Sequence, residues 1–388
     1  MFYPSCIELS KSALQKNLRF LRDFIGRDVV FSSVIKGNAY GHGINVFVPL
    51  AEECGVRHFS VFSADEALRA LKARTRSSEI MIMGAIDNPE VEWAVENRIS
   101  FYVFELERLR AALDAAQRVG IPARIHLELE TGMNRTGLQD GQVHDAVGLI
   151  KANHEHFVID GVCTHYAGAE SVGNHLRVQN QIQSYNDQCA MLKEEGLDLG
   201  RRHTACSAAA LSYPETIMDM VRIGIAHYGY WPSRETRMHY LLNRPNGKTK
   251  RHIDPLHRVL RWSSRIMSLK QVKAGEFVSY GTSYQTTRDE TIASVPVGYF
   301  HGFARGLSNL GYVLVHGRRC PVVGIVNMHM ITINVTGLKD VKKGDEVVII
   351  GKQNKQQITV GSFSDLSRFL NYEILVRLPS EVPRVVVD

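Results

Sequence analysis

The 388 residues carry 44% apolar and 22% charged side chains with a net charge of +6, the profile of a folded globular chain long enough for two cores. The charge is spread out, and the densest basic stretch, Arg234 to Arg258, has no interleaved aromatic platform, which argues against a nucleic-acid partner. No run approaches a membrane span, and Met1 to Arg22 lacks the apolar core of a signal peptide, so a cytoplasmic protein with no membrane partner is expected.

In chain order, short apolar runs alternate with amphipathic stretches over the first two-thirds. The runs predict strands at Val29–Ile35, His58–Phe62, Ile80–Met83, Ser100–Val103, Arg124–Glu130, Phe157–Cys163, His203–Cys206 and Met220–Ile223. Between them, apolar residues at three- and four-residue spacing predict helices at Ala64–Ala73, Glu105–Val119, Asp140–Asn153 and Asn174–Glu195. Eightfold alternation reads as an α/β fold with an N-terminal (β/α)8 TIM-like barrel over residues 1–235. Ser233 to His257 is polar, basic and broken by Pro245 and Pro255, so residues 236–256 read as a linker or insertion.

Beyond it, strand-like runs fall at Arg258–Leu269, Phe277–Tyr284, Thr291–Val297, Tyr312–Val315, Met330–Val335 and Glu346–Ile350, with one helix at Ser362–Leu370. Residues 257–388 are thus expected to form a second, mostly β C-terminal domain.

A parallel barrel carries its active site at the C-terminal ends of its strands. Lys36 follows the first strand and opens a Gly37-Asn38-Ala39-Tyr40-Gly41-His42-Gly43 run. Arg135 follows the fifth strand, His165 the sixth and Ser207 the seventh, while Arg222 lies on the eighth before Gly224 and Ile225. Most lysines are solvated surface groups. An apolar strand before Lys36 and glycines after it favour a desolvated amine able to form a Schiff base. Taken singly, Arg135 reads as a surface ion-pair residue and His165 as a core histidine. Ser207 reads as a helix cap, which is also how a serine binds phosphate. Arg222 on a buried strand needs an acceptor, and a cofactor ring nitrogen is one candidate. Six dispersed cysteines without a Cys-x-x-Cys pair give neither a metal site nor a disulfide framework.

These motifs, continued by Asn371-Tyr372-Glu373-Ile374 and Leu378-Pro379-Ser380-Glu381, give the chain its family likeness: it resembles the bacterial alanine racemases, pyridoxal 5′-phosphate (PLP) enzymes of fold type III. The resemblance covers nearly the whole chain and implies racemisation of a free amino acid. It implies that Lys36 binds the cofactor aldehyde and that Tyr40, Ser207, the Gly224–Ile225 backbone and Tyr372 hold its phosphate. Arg222 would face the pyridine nitrogen, with His165 holding Arg222. An arginine does not surrender a full proton to the ring, which restrains the cofactor and favours reprotonation at Cα. The resemblance makes Tyr280 a second base, reaching the neighbouring subunit's site opposite Lys36. Arg135 and the partner's Met328 N–H would bind the substrate carboxylate, so a homodimer with shared sites is expected. Alone, Tyr280 reads equally as an ordinary strand tyrosine.

Three departures bear on the substrate. Glu128 stands where many relatives carry a lysine that becomes carbamylated, and the glutamate is expected to serve Arg135 directly. His301 and His329 stand where aspartates are usual, which exchanges two anions for two titratable cations and points to substrates beyond alanine, acidic ones included. The stretch 233–257 is also longer than the usual connection. Three rivals remain beside racemisation. A PLP-dependent decarboxylase would carry an acid at the ring nitrogen and an acidic-flanked cysteine late in the chain. A non-catalytic PLP-binding barrel would lack the β domain and its Tyr280, and in a PLP-binding homologue with little activity His301 and His329 would mark the loss.

Overall fold

The computed structural model describes residues 3–243, 254–367 and 370–388, and the chain divides into two compact units. The division is not contiguous: Met1–Ser12, Gly37–Phe47 and Arg258–Asp388 make a β-rich unit, while Ala13–Lys36 and Val48–His257 make a barrel unit. Single cuts at 235 and 257 therefore capture only the gross order.

The first strand, β1 (Ser5–Ser10), went unpredicted, although Ile7 and Leu9 alternate with polar neighbours and are fully buried. Its partners lie far away in sequence, so no local turn announces it.

The barrel is a single parallel sheet of β2 (Val30–Val34), β3 (His58–Ser63), β4 (Glu79–Ala85), β5 (Ser100–Val103), β6 (Ala123–Glu128), β7 (Phe157–Cys163), β8 (Arg201–His203) and β9 (Met220–Ile223). Its order is β8-β7-β6-β5-β4-β3-β2-β9. Closure between the ends comes from Asp219 N–H on the Arg202 carbonyl (3.1 Å), Arg222 N–H on that of Ala205 (2.9 Å) and a parallel bridge of Cys206 to Arg222. The seventh predicted strand thus ends at His203, and Cys206 keeps only that bridge. Phe59 and Phe101 are fully buried, and such strands read as continuous apolar runs because both faces are covered.

Helices fill the crossovers. In Lys11–Ile25, Leu14, Leu18, Leu21 and Ile25 recur at helical spacing and are buried, each contributing about 1.5–3 kcal/mol of apolar burial. Asn17 on the same face is fully buried and staples the barrel unit: its Nδ2 donates to the carbonyls of His227 (3.1 Å) and His257 (2.7 Å), and its Oδ1 accepts the His257 N–H.

The expected linker begins with a helix instead. Arg234–Leu242 is capped by the Ser233 hydroxyl, which accepts the Thr236 N–H (3.0 Å). Tyr240 packs on Phe20 and Trp231. Its polar composition concealed an aromatic anchor one turn from the helix end. The remainder, 244–253, lies outside the described residues.

In the β unit, β10 (Leu260–Arg265), β11 (Ser268–Val272), β12 (Glu290–Val295), β13 (Tyr312–Val315), β14 (Arg318–Pro321), β15 (Ile331–Asn334), β16 (Glu346–Gln353), β17 (Gln356–Ile358) and β18 (Arg384–Val387) form two sheets. One runs β14-β13-β16-β10-β1-β18 with β17 beside β16, the other β11-β12-β15. The predicted run Arg258–Leu269 breaks at Ile266, whose N–H turns to Asp345, and its halves join different sheets. The predicted strand Phe277–Tyr284 is absent. Phe277 makes one bridge to Gln285, and Ser279 (φ 70°) and Gly281 (φ 67°) are left-handed, because a serine- and glycine-rich segment satisfies itself in turns. The helix expected at Ser362–Leu370 lies at Val360–Ser367.

Candidate active site

The C-terminal ends of β2, β6, β7 and β9, together with Ser207 just past β8, bring the predicted residues of the barrel unit to one mouth. Lys36 lies two residues past β2. The backbone after it makes a left-handed turn: Gly37, Asn38, Ala39 and Tyr40 have φ of 62°, 54°, 56° and 50°. For non-glycine residues such angles cost about 1–2 kcal/mol each, so the turn persists only because its surroundings fix it. Within the β unit, Arg384 does part of this. Its Nη2 donates to the Gly41 carbonyl (2.8 Å) and to that of Leu378 (3.1 Å), and its Nη1 to those of Pro379 and Val382. Gly41 has φ 77°, and a Cβ there would lie 1.9 Å from the Leu375 oxygen. Tyr40 in this turn is buried, its ring centroid 6.0 Å from that of Tyr372.

The Lys36 amine makes no hydrogen bond or ion pair among the described residues. Although part of its surface is open at the mouth, protein crowds it on most sides. This desolvation lowers its pKa first, and the positive charges of Arg135 and Arg222 lower it further, against opposing pulls from Cys206 and Glu66. His165, past the end of β7, is held neutral with a pKa of about 3 by burial and by Arg222, Arg135 and Lys36.

Arg222 on β9 is buried, and its hydrogen bonds correct one expectation. They run to His203 and to backbone carbonyls, not to His165. Nη1 donates to His203 Nδ1 (2.7 Å) and to its carbonyl (2.5 Å), while Nη2 donates to Thr164 (2.8 Å) and Thr204 (3.1 Å). His165 acts on Arg222 only as a near electrostatic neighbour.

Sequence reasoning missed what lies behind Arg222. Because Arg222 has no acceptor function, His203 Nδ1 must accept, which leaves its Nε2–H to donate to His126 Nδ1 (2.9 Å). His126 Nε2–H then donates to Ser100 Oγ (3.3 Å), whose hydroxyl gives to the Ile80 carbonyl (3.4 Å). One direction of donation satisfies every group, and both rings must be neutral for it. Burial lowers both histidines well below their ordinary value. The available signal was parity: His126 and His203 sit on inward-facing positions of strands that face Arg222.

Ser207 opens the helix Ser207–Ser212 and its Oγ accepts the N–H groups of Gly224 (2.9 Å) and Ala226 (3.4 Å). Having filled both acceptor positions, its hydroxyl retains a proton to donate. Glu128 ends β6, buried, with its carboxyl pushed up by desolvation and its Oε2 without a hydrogen-bond partner. No ion pair joins it to Arg135 among the described residues. The direct partnership expected from sequence is replaced by attraction at longer range.

The β unit carries the other predicted residues on exposed loops. Tyr280 is 73% exposed and Met328 51%. Phe300 N–H donates to the Met328 carbonyl (2.9 Å), and His301 and His329 lie with ring centroids 5.4 Å apart. His301 Nδ1 accepts the Gly298 N–H (3.2 Å), and burial followed by His329 lowers its pKa. The lowered pKa disfavours the cationic form of His301, against the expected pair of cations.

The mouth holds Lys36, Arg135 and Arg222 against Glu66 near Lys36 and the buried, destabilised acid Glu128, an excess of positive charge that makes it a receptor for anions. A phosphate and a substrate carboxylate would balance it, so the residues fit PLP. The family model described as "Alanine racemase, N-terminal domain" matches residues 9–232, and "Alanine racemase, C-terminal domain" matches 259–386. The chain belongs to the alanine racemase family.

Alanine racemases of Leptospira interrogans and Symbiobacterium thermophilum are 33% identical over 386 residues and 34% over 381. The alignments cover 100% and 98% of this chain and 96% of each relative. Among solved structures, alanine racemase of Clostridium difficile superposes with a TM-score of 0.89 at 29% identity, and that of Bacillus anthracis with bound L-Ala-P with 0.87 at 31%. Each superposition covers 100% of this chain and 96% of the other. Membership makes this chain a PLP-dependent amino-acid racemase with the barrel and β domain that the sequence predicted. Decarboxylation is not favoured. Among the described residues no helix is long and apolar enough to cross a membrane, and no three potential ligands cluster for a metal ion.

Proposed function

We propose that the chain interconverts L- and D-alanine by two bases on opposite faces of Cα, Lys36 of one copy and Tyr280 of a second. The observation that carries this reading is a lysine at the barrel mouth, with a lowered pKa and no hydrogen-bond partner among the described residues, near a buried arginine whose hydrogen bonds run to His203 and to backbone carbonyls. When bound, PLP withdraws electrons from Cα and makes its proton acidic enough for protein bases to take.

Lys36 binds the cofactor and, as a neutral amine, accepts a proton at Cα from one face. Tyr280 of the partner subunit returns a proton on the other. Arg135 and the Met328 N–H of the partner subunit hold the substrate carboxylate, which keeps Cα between the bases. Ser207 donates its remaining proton to the cofactor phosphate, with the Gly224–Ile225 backbone, Tyr40 and Tyr372 completing its cradle. Arg222 meets the ring nitrogen as a permanent cation. The neutral His165 beside it adds no charge to compete with the substrate carboxylate.

Exposure of Tyr280 and Met328 at 73% and 51% supports their use by a second copy, and a homodimer with shared sites follows. Six free cysteines support a reducing, cytoplasmic location.

The test is racemisation of L-alanine in deuterium oxide. The native enzyme incorporates deuterium at Cα as D-alanine forms. Lys36→Ala loses the visible absorbance of lysine-bound cofactor and all turnover. Tyr280→Phe keeps the absorbance and loses racemisation. Full racemisation by Tyr280→Phe refutes the two-base reading.

A further inference from the structure

The end of the barrel away from Lys36 carries a second polar site. A cleft of about 410 Å³ opens where β2, β3, β4 and β8 begin, lined by Arg22, Arg57, His58, Glu79, Arg201 and the chain from Arg27 to Phe31. That volume lies within the range of about 300–1,000 Å³ typical of small-molecule sites. Four guanidinium groups face it against two carboxylates, those of Asp28 and Glu79.

Of the two acids, Glu79 is already engaged. Arg201 takes Glu79 in a two-pronged pair (2.9 and 3.2 Å), and Arg124 approaches the same carboxyl at 3.5 Å. Arg22 donates to the carbonyls of Cys54 (3.4 Å) and Gly55 (2.8 Å) and lies over the Phe31 ring (5.8 Å to its centroid), and Arg57 donates to those of Glu52 (2.8 Å) and Val56 (2.7 Å) through one nitrogen. Among the described residues, Nη2 and Nε of Arg57 have no protein partner. Burial and the charge of Arg57 both lower the Arg22 pKa, as expected for two cations held together with no anion between them.

The independent observation is His58, which forms the inner wall. It is 2% exposed, its Nδ1 pairs with Ser32 Oγ (2.8 Å), and its Nε2 has no partner. A buried ring nitrogen left unpaired costs about 1–3 kcal/mol, and here it lies on the wall of a cleft rich in cations. Arginine forks match tetrahedral oxyanions.

We propose that this cleft binds a phosphate-class oxyanion, held by the free edge of Arg57, by Arg22 and by His58 Nε2–H, in the tautomer whose Nδ1 accepts the Ser32 hydroxyl. The site is distinct from the catalytic mouth, since its residues stand at strand beginnings, whereas Lys36 follows the end of β2. The ligand is inorganic phosphate or the phosphate group of a small metabolite.

Isothermal titration of the PLP-loaded enzyme with inorganic phosphate tests this, because the catalytic phosphate position is then filled. The expected result is saturable binding, weakened about tenfold or more in Arg57→Gln and partly restored in Arg57→Lys. Arg118→Gln, at a surface ion pair elsewhere, leaves it unchanged. Racemase activity without added phosphate is the same in Arg57→Gln and native enzyme. Glycerol phosphate binding more tightly than inorganic phosphate identifies a phosphorylated metabolite as the source, and the reverse order identifies the free ion. The proposal is overturned by unsaturable heats, by equal affinity in Arg57→Gln, or by acetate binding as tightly as phosphate.

Discussion

Mild acid should destabilise this enzyme through its buried histidines. His42 in the β unit is fully buried with a pKa of about 3, and His58 in the barrel unit is 2% exposed with a pKa of about 4. Burial is the leading cause in both. In the unfolded chain each returns to about 6.5. Between those values the unfolded chain binds more protons than the folded one, so stability is present above the unfolded pKa and lost as pH falls through it.

A fully titrating site contributes about 1.4 kcal/mol per pH unit. An unfolded histidine is about nine-tenths protonated at pH 5.5, so the two together cost about 2.5 kcal/mol between pH 6 and pH 5. His126 and His203 are shifted in the same direction and add to it. Glu52 and Glu79, held low in the folded state, lose their contribution only at lower pH, while Glu128, held up by burial, takes its proton earlier and offsets part of the loss. Urea unfolding followed by circular dichroism at the two pH values measures the change. A midpoint that stays put or rises on acidification would refute the assignment of these histidines as buried and neutral.

Three further outcomes follow from particular contacts. Gly41→Ala should lose at least about 3 kcal/mol, since it combines a left-handed φ with overlap on the Leu375 oxygen, whereas Gly120→Ala, at the same φ of 77° but with open space, should lose about 1–2 kcal/mol; thermal unfolding of the pair separates strain from overlap. Racemisation should be independent of added bicarbonate, because Glu128 already supplies an acid in the barrel; strong stimulation by bicarbonate would count against that role. Values of kcat/KM should rank alanine above aspartate and glutamate, because burial disfavours the cationic form of His301 that an acidic substrate would need; a preference for either acid would contradict this.

Much of the barrel could be read from the chain because its information is local. Each strand such as Ser100–Val103 is an apolar run bounded by turn residues, and each helix such as Ala64–Ala73 has its own periodicity. What escaped depends on distant partners. β1 acquires its role only from β10 and β18, and the helix Arg234–Leu242 from aromatic residues on Lys11–Ile25. At the site, motif order located Lys36, Arg135, His165, Ser207 and Arg222, since strand ends converge by topology. The support of Arg222 was misassigned to His165 because spacing cannot tell which of several barrel histidines faces a given guanidinium. The charge of His301 was overestimated for a related reason: burial and the nearby His329, which set it, are invisible in sequence.

The central claim, a racemase site completed by a second copy, is tested most directly by subunit complementation. Lys36→Ala and Tyr280→Phe chains, each inactive alone, are unfolded together, refolded with PLP and assayed for D-alanine. A random mixture should recover about a quarter of the native activity, because half of its dimers contain one site with both bases intact. No recovery, with mixed dimers demonstrably present, would contradict the account.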